Sequence, residues 1–166
     1  MRPLPRSRLL AIDPTRHGFA YVLLESQILI DWGVVDAGEE ASAAAHRLEA
    51  LISRYTPTSL IIEHHMLTES RRSPRAREFL VAVELLGLLQ GVAVERISRS
   101  RLAETFPDAK NKHDIALLLA DRYPELRMWR PRRRKPWMSE DERMNIFDAL
   151  ALAETYLSST DSLSIN

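Results

Sequence analysis

Three acidic residues stand in apolar surroundings, where a single charge needs a partner. Asp13 and Glu63 each end a short apolar run, and Asp148 lies inside an otherwise apolar helical segment, residues 145–153. A charge in such a place is costly unless it is paired or binds a cation. Carboxylate oxygens suit a hard divalent ion such as Mg²⁺ or Mn²⁺, which keeps several of its waters. The three residues together therefore predict a metal site.

A second polar pattern surrounds Asp148. Asp141, Asn145 and Asp148 are spaced i, i+4 and i+7, so they share one face of a predicted helix over residues 139–157. Ser139 is a plausible N-cap of that helix. Asp141 has two readings, as an additional ligand near the site or as a charge that favours the positive end of the helix dipole.

The elements that must position these residues follow from hydrophobic periodicity. Five strands are expected, over residues 9–13, 19–24, 27–35, 59–63 and 91–97. Helices are expected over residues 39–55, 75–90, 99–106, 111–123 and 139–157. The first three strands form an antiparallel meander, and we expect Pro14 to end the first strand because it cannot extend the ladder. A strand that follows a helix normally runs parallel to an earlier one, so Asp13 and Glu63 should project from the same end of the sheet.

Length and composition fit one α/β domain over residues 1–166. The chain has 45% hydrophobic and 28% charged residues, as is usual for a soluble protein. It has no cysteine, which excludes disulfides, thiolate metal sites and cysteine nucleophiles. We expect a basic N-terminal tail at about 1–7 that is not a signal peptide, and an unstructured polar tail at about 158–166. Without an apolar run of membrane-spanning length, the sequence predicts a cytoplasmic protein with no membrane association.

The order and spacing of these motifs resemble a known family. From residue 8 to about residue 157, the chain is similar to the RuvC-type Holliday junction resolvases of the ribonuclease H-like superfamily. The anchors are Asp13-Pro14, Glu63 at the end of the fourth strand, and Asp148-Ala149-Leu150-Ala151. The resemblance implies a ribonuclease H-like fold, with a five-stranded mixed sheet (three antiparallel strands, then two parallel) flanked by helices. It also implies a Mg²⁺-dependent endodeoxyribonuclease that cuts four-way DNA junctions as a homodimer, with Mn²⁺ as a substitute ion.

The resemblance assigns roles to the site residues. Asp13 would bridge two metal ions, with Glu63 and Asp148 completing their coordination. The family's fourth position, usually Asp and in some members His, is Asn145 here. An amide oxygen can bind a metal without contributing charge, so the metal affinity should be lower. Thr15 stands where resolvases commonly have Gly, which concerns substrate contacts of the loop more than the metal.

Basic segments fit a nucleic-acid substrate, because each neutralised phosphate strengthens binding. The expected nucleic-acid contacts are Arg71, Arg72, Arg75, Arg99, Lys110 and Lys112. By the resemblance, the two lysines would lie near the scissile phosphate. The arginine-rich loop at residues 127–135 is either a solvated loop or a further DNA contact. The apolar helix over 75–90 is either part of the core or the homodimer interface, and the resemblance favours the interface.

Two other functions remain open. The loss of a charged ligand at Asn145 favours a nucleic-acid-binding module with the same fold and weakened or lost catalysis. The related YqgF-type nucleases, thought to trim ribosomal RNA precursors, offer an RNA substrate instead of a DNA junction.

Overall fold

The computed structural model describes residues 6–66 and 71–163. Its strands are β1 (Arg8–Thr15), β2 (Gly18–Glu25), β3 (Ile28–Asp36), β4 (Ser59–Glu63) and β5 (Ala93–Ile97). Its α-helices are α1 (Ala41–Tyr55), α2 (Pro74–Gln90), α3 (Arg99–Thr105), α4 (Lys112–Arg122) and α5 (Arg143–Leu163), with a 3₁₀ helix at Pro124–Trp129. None of the described helices is long and apolar enough to cross a membrane.

The five strands form one mixed sheet in the order β3-β2-β1-β4-β5. The pairs β1–β2 and β2–β3 are antiparallel, whereas β1–β4 and β4–β5 are parallel. The predicted fold class, with three antiparallel strands followed by two parallel ones and helices on the sheet, is confirmed.

Helices cover both faces of the sheet, which gives two hydrophobic cores. On one face, Leu10 and Ile12 of β1 pack with residues of α1 and α2 such as Leu48 and Phe79. On the other face, Leu9 and Ala11 pack with residues of α4 and α5. This second core includes Leu119, Phe147 and Leu150. Because β1 is covered on both sides, its sequence is nearly continuously apolar.

The prediction that Pro14 ends the first strand is wrong. Pro14 pairs with Phe19, and β1 continues to Thr15 opposite Gly18. The backbone N–H and C=O positions of Pro14 point to the same side of β1 as those of Arg8. The Arg8 carbonyl accepts a hydrogen bond from Thr58, which lies beside β4. The edge of β1 on which Pro14 lacks an N–H is therefore the edge that faces β4. The hydrogen-bonded pairing with β4 has already ended at Ala11.

The boundaries of the last helix also differ from the prediction. α5 begins at Arg143, beyond the expected N-cap Ser139, and continues to Leu163. The expected unstructured tail at 158–166 is therefore wrong up to residue 163, and residues 164–166 lie outside the described part. The hydroxyl groups of Ser158 and Ser159 donate to helix carbonyls one turn earlier, and Arg101 of α3 donates to Ser159. The predicted basic tail at 1–7 lies outside the described residues except for Arg6 and Ser7.

Candidate functional site

Strand alternation places two of the predicted acids on the same face of the sheet. Asp13 continues the series Leu9 and Ala11 on β1, and Glu63 follows Ile61 on β4. All of these side chains point towards the face that α5 covers. Asp13 is fully buried, and Glu63 is only 6% exposed.

Helix α5 brings the other two predicted residues to the same place. The Nδ2 amide of Asn145 donates to Asp13 Oδ2 at 2.7 Å and to the Pro14 carbonyl at 3.4 Å. Asp148, about one turn further along, accepts a hydrogen bond from Lys112 Nζ at 2.9 Å. Asn145 therefore presents its donor, and not its oxygen, to Asp13.

An arginine lies between the two strand carboxylates. Arg72 Nη2 donates to Asp13 Oδ1 at 2.5 Å, and Arg72 Nε donates to Glu63 Oε2 at 2.5 Å. Arg99 Nε donates to the other oxygen of Glu63 at 3.1 Å. With Lys112 on Asp148, the three carboxylates are matched by three cationic side chains. Arg72 was predicted to contact nucleic acid, and its position between the acids was not foreseen.

The pKa values reflect this pairing. Burial alone would raise the pKa of Glu63, but Arg72 and Arg99 hold it below its usual range. Burial alone would lower the pKa of Arg72, but Asp13 and Glu63 raise it. Burial and the charge of Asp13 raise the pKa of Asp148 to about 7, although Lys112 opposes the shift. Asp148 can thus bind a proton near neutral pH.

These side chains line a cleft of about 460 Å³. Its polar lining includes the three acids with Arg71, Arg72, Arg99 and Lys112, and its apolar lining includes Ile97, Leu102, Ile115 and Leu152. A cleft of this size, with polar groups converging over an apolar wall, is typical of a ligand site.

The donor set of this cleft suits a hard divalent cation. Asp13, Glu63 and Asp148 supply carboxylate oxygens from two strands and one helix, and such ions prefer oxygen ligands. The mutual repulsion of Asp13 and Asp148, visible in the raised pKa of Asp148, would be relieved by a cation. In the described part of the chain, no three His, Asp or Glu side chains are grouped closely enough as they stand to hold a metal ion. The residues fit the ion by chemistry, but Arg72 lies between two of the ligands.

The other predicted contacts are distributed differently. Arg71 lines the cleft, whereas the guanidinium of Arg75 donates to the carbonyls of Thr15, Glu39 and Gly38 and ties the start of α2 to neighbouring loops. Lys110 is not among the residues that line the cleft. The guanidinium of Arg75 therefore has a structural role in these contacts, and its contact with nucleic acid stays a prediction.

Asp141 stabilises the start of α5. Its Oδ1 accepts from the backbone N–H of Arg143 at 3.0 Å, and its carboxylate pairs with the Arg143 guanidinium at 2.7 Å. The expectation that Asp141 shares a helix face with Asn145 and Asp148 is wrong, because Asp141 precedes the helix. Of its two readings, the one at the helix N-terminus is supported.

The arginine-rich segment lies beside the cleft. Arg132, Arg133 and Arg134 line a groove of about 540 Å³, which shares Lys112 with the cleft. The first three residues of the predicted loop, up to Trp129, belong to the 3₁₀ helix, so the loop prediction is wrong there. Trp137 is 78% exposed, and Lys135 lies over its ring. Asp114, Glu140 and Asp141 line the same groove, so the arginines of this segment lie beside the cleft on a surface of mixed charge.

Comparison with known proteins agrees with this architecture. No protein-family model and no curated protein matches the chain. The solved structure of Thermus thermophilus RuvC matches with a TM-score of 0.65 and 18% identity, covering 93% of this chain and 96% of that one. T. thermophilus RuvC in complex with a Holliday junction substrate matches with the same TM-score and identity, covering 94% and 96%. The chain has the RuvC fold.

Proposed function

We propose that this protein is a Mg²⁺-dependent, structure-selective endodeoxyribonuclease that resolves four-way DNA junctions in the cytoplasm during recombination or repair. The observation that carries the proposal is the convergence of Asp13, Glu63 and Asp148 on one cleft with cationic walls. The likeness to RuvC, which has been solved with a Holliday junction substrate, supports the same substrate class for this fold.

Asp13 is the central ligand of the proposed site. It is buried, and it accepts hydrogen bonds from Asn145 and from Arg72, which also contacts Glu63. Glu63 and Asp148 would complete the coordination from either side. Divalent ions, when bound, activate a water and stabilise the leaving oxygen of a phosphodiester. In this proposal Mn²⁺ can replace Mg²⁺, and cleavage leaves 5′-phosphate and 3′-hydroxyl ends.

The basic residues of the cleft would hold the DNA backbone. Arg71, Arg99 and Lys112 present charged groups at its wall, and such groups bind phosphates without reading sequence. The groove with Arg132, Arg133 and Arg134 lies next to this surface. These arginines would bind the phosphates of a junction arm that leaves the cleft. A branched substrate would thus be selected by its shape and backbone.

The proposed enzyme is a homodimer that uses the outer face of α2. Phe79, Leu80 and Val83 of this helix are buried, but Leu85 and Leu88 are 54% and 78% exposed. Together with Val81, Val92 and Val94 they line a shallow groove. A two-fold axis through this face would pair like surfaces, as a symmetric cut of two strands requires.

A binding module without efficient catalysis is the second candidate, and two contacts favour it. Asn145 donates to Asp13, and Arg72 forms ion pairs with both Asp13 and Glu63. In this case the same cleft would bind nucleic acid, and its carboxylates would keep the arginine in place.

The decisive experiment compares three substrates in Mg²⁺ and in Mn²⁺: a synthetic four-way DNA junction, a linear duplex and a structured RNA. We expect the junction to be cut, and Asp13→Asn to abolish cleavage while the junction is still bound. Junction cleavage that survives Asp13→Asn would sink the assignment of the site. Binding without cleavage would favour the binding module, and preferential RNA cleavage would favour a YqgF-type RNA-processing nuclease.

A further inference from the structure

The position of Arg72 has a thermodynamic implication for the proposed metal site. One guanidinium contacts both strand carboxylates, with 2.5 Å from Nη2 to Asp13 and 2.5 Å from Nε to Glu63. Guanidinium groups bind carboxylates through fixed, parallel donors, and such charge-assisted bonds are among the strongest in proteins. Arg72 contacts one oxygen of each carboxylate, and the second oxygens accept from Asn145 and Arg99. A divalent ion that uses Asp13 and Glu63 together therefore competes with Arg72 for carboxylate oxygens.

Arg72 also has an alternative partner in the proposed substrate. Its side chain is 20% exposed and lines the open cleft beside Arg71. Phosphate accepts the same bidentate donors as carboxylate. A backbone phosphate that enters the cleft can therefore compete with the two carboxylates for this guanidinium.

On these contacts, and resting on the proposed function, we infer that Arg72 competes with the metal ion for Asp13 and Glu63. A bound phosphate removes Arg72 from these carboxylates. In the free protein Arg72 holds Asp13 and Glu63 and weakens metal binding. When nucleic acid binds, Arg72 moves to a phosphate and releases the carboxylates. Metal and nucleic acid then strengthen each other's binding, as linkage requires of two ligands that favour the same arrangement.

The first test measures Mn²⁺ affinity in DNA-free protein by the electron paramagnetic resonance signal of the unbound ion. Arg72→Gln should bind Mn²⁺ more tightly than the wild type, by about 5- to 150-fold if the coupling is of ordinary size. Arg71→Gln is the matched control, because it removes the same charge from the same cleft but no contact with either carboxylate. Arg72→Lys is a second variant, since a lysine is a point charge that lacks the planar fork. It should give an intermediate affinity.

The second test measures junction affinity with and without Ca²⁺, an oxygen-seeking ion. Ca²⁺ should tighten junction binding by the wild type, and by a smaller factor in Arg72→Gln. Unchanged or weaker Mn²⁺ binding by Arg72→Gln, or an equal Ca²⁺ effect in both proteins, would overturn the role of Arg72 and leave the proposed nuclease intact. Failure of every variant to bind Mn²⁺ would overturn both proposals.

Discussion

Asp148 connects the chemistry of the site to pH. The pKa of its partly buried carboxyl group is raised to about 7 because loss of water contact and the charge of Asp13 disfavour the ionised form, while the unfolded chain restores the usual value of 3.8. Between these values the folded protein holds a proton that the unfolded chain has lost. The stability contributed by this group is therefore complete below about pH 4 and is lost as the pH rises through about 7.

Replacing this carboxyl group should remove that pH dependence. In metal-free buffer with a chelator, we expect the Tm of Asp148→Asn, relative to the wild type, to rise between about pH 5 and about pH 8. Thermal unfolding followed by circular dichroism provides the measurement. Asp121→Asn is the control, because the Asp121 side chain is 74% exposed. A Tm difference that stays constant with pH would contradict the raised pKa.

Asn145 determines how much negative charge Asp13 has beside it. In Asn145→Asp, a hydrogen-bond donor to Asp13 is replaced by a like charge, so the metal-free protein should lose stability and should bind Mn²⁺ more tightly. Unfolding scans with chelator and with Mn²⁺ measure both effects. Equal Tm shifts with Mn²⁺ in the variant and in the wild type would contradict this role. Cleavage that appears only in the variant would favour the binding module.

The acids of the site could be predicted, but their partners could not. Asp13, Glu63 and Asp148 stand out because each interrupts an apolar pattern. Strand alternation explains why Asp13 and Glu63 share a face of the sheet, and α5 brings Asp148 to that face. Arg72 is one of several arginines in a polar segment, and no periodicity links it to Asp13, 59 positions earlier. Contacts of this kind depend on where a loop folds back, which local sequence rules do not specify.

At the scale of elements, α5 is the part that ties the site to the core. Leu150 lies two residues beyond Asp148 and is fully buried. Leu150→Ala should lower the free energy of unfolding by about 2–5 kcal/mol, because it leaves a cavity under the sheet. Denaturant unfolding measures the loss, and Leu118→Ala on α4 is the control because Leu118 is 50% exposed. A similar loss in both variants would show that α5 is not packed as described.

Strand and helix types were predictable, whereas several ends were not. β4 has the predicted bounds, since its apolar run is closed by a polar residue on each side. The ends of β1 and α5 were wrong because tertiary contacts determine them. Pairing with β2 carries β1 past Pro14, and the Arg101–Ser159 bond supports a helical end with a polar sequence.

For the whole molecule, the exposed face of α2 predicts association. Leu88→Asp should shift the proposed homodimer to monomer, because a charge would be buried in the apolar interface. Sedimentation equilibrium measures the change, and Leu118→Asp is the control at another exposed leucine. A wild-type protein that is monomeric at all concentrations would refute the dimer.

The charge matching within the cleft has a kinetic consequence. Asp13, Glu63 and Asp148 offset the charges of Arg72, Arg99 and Lys112, so the cleft keeps only a small positive charge from Arg71 and attracts a distant polyanion weakly. Encounter rates with nucleic acid should therefore depend mainly on the arginines of residues 127–135, which lie outside the proposed metal site. Diffusional capture and the chemical step would then be controlled by separate groups of residues, and either could change without altering the other.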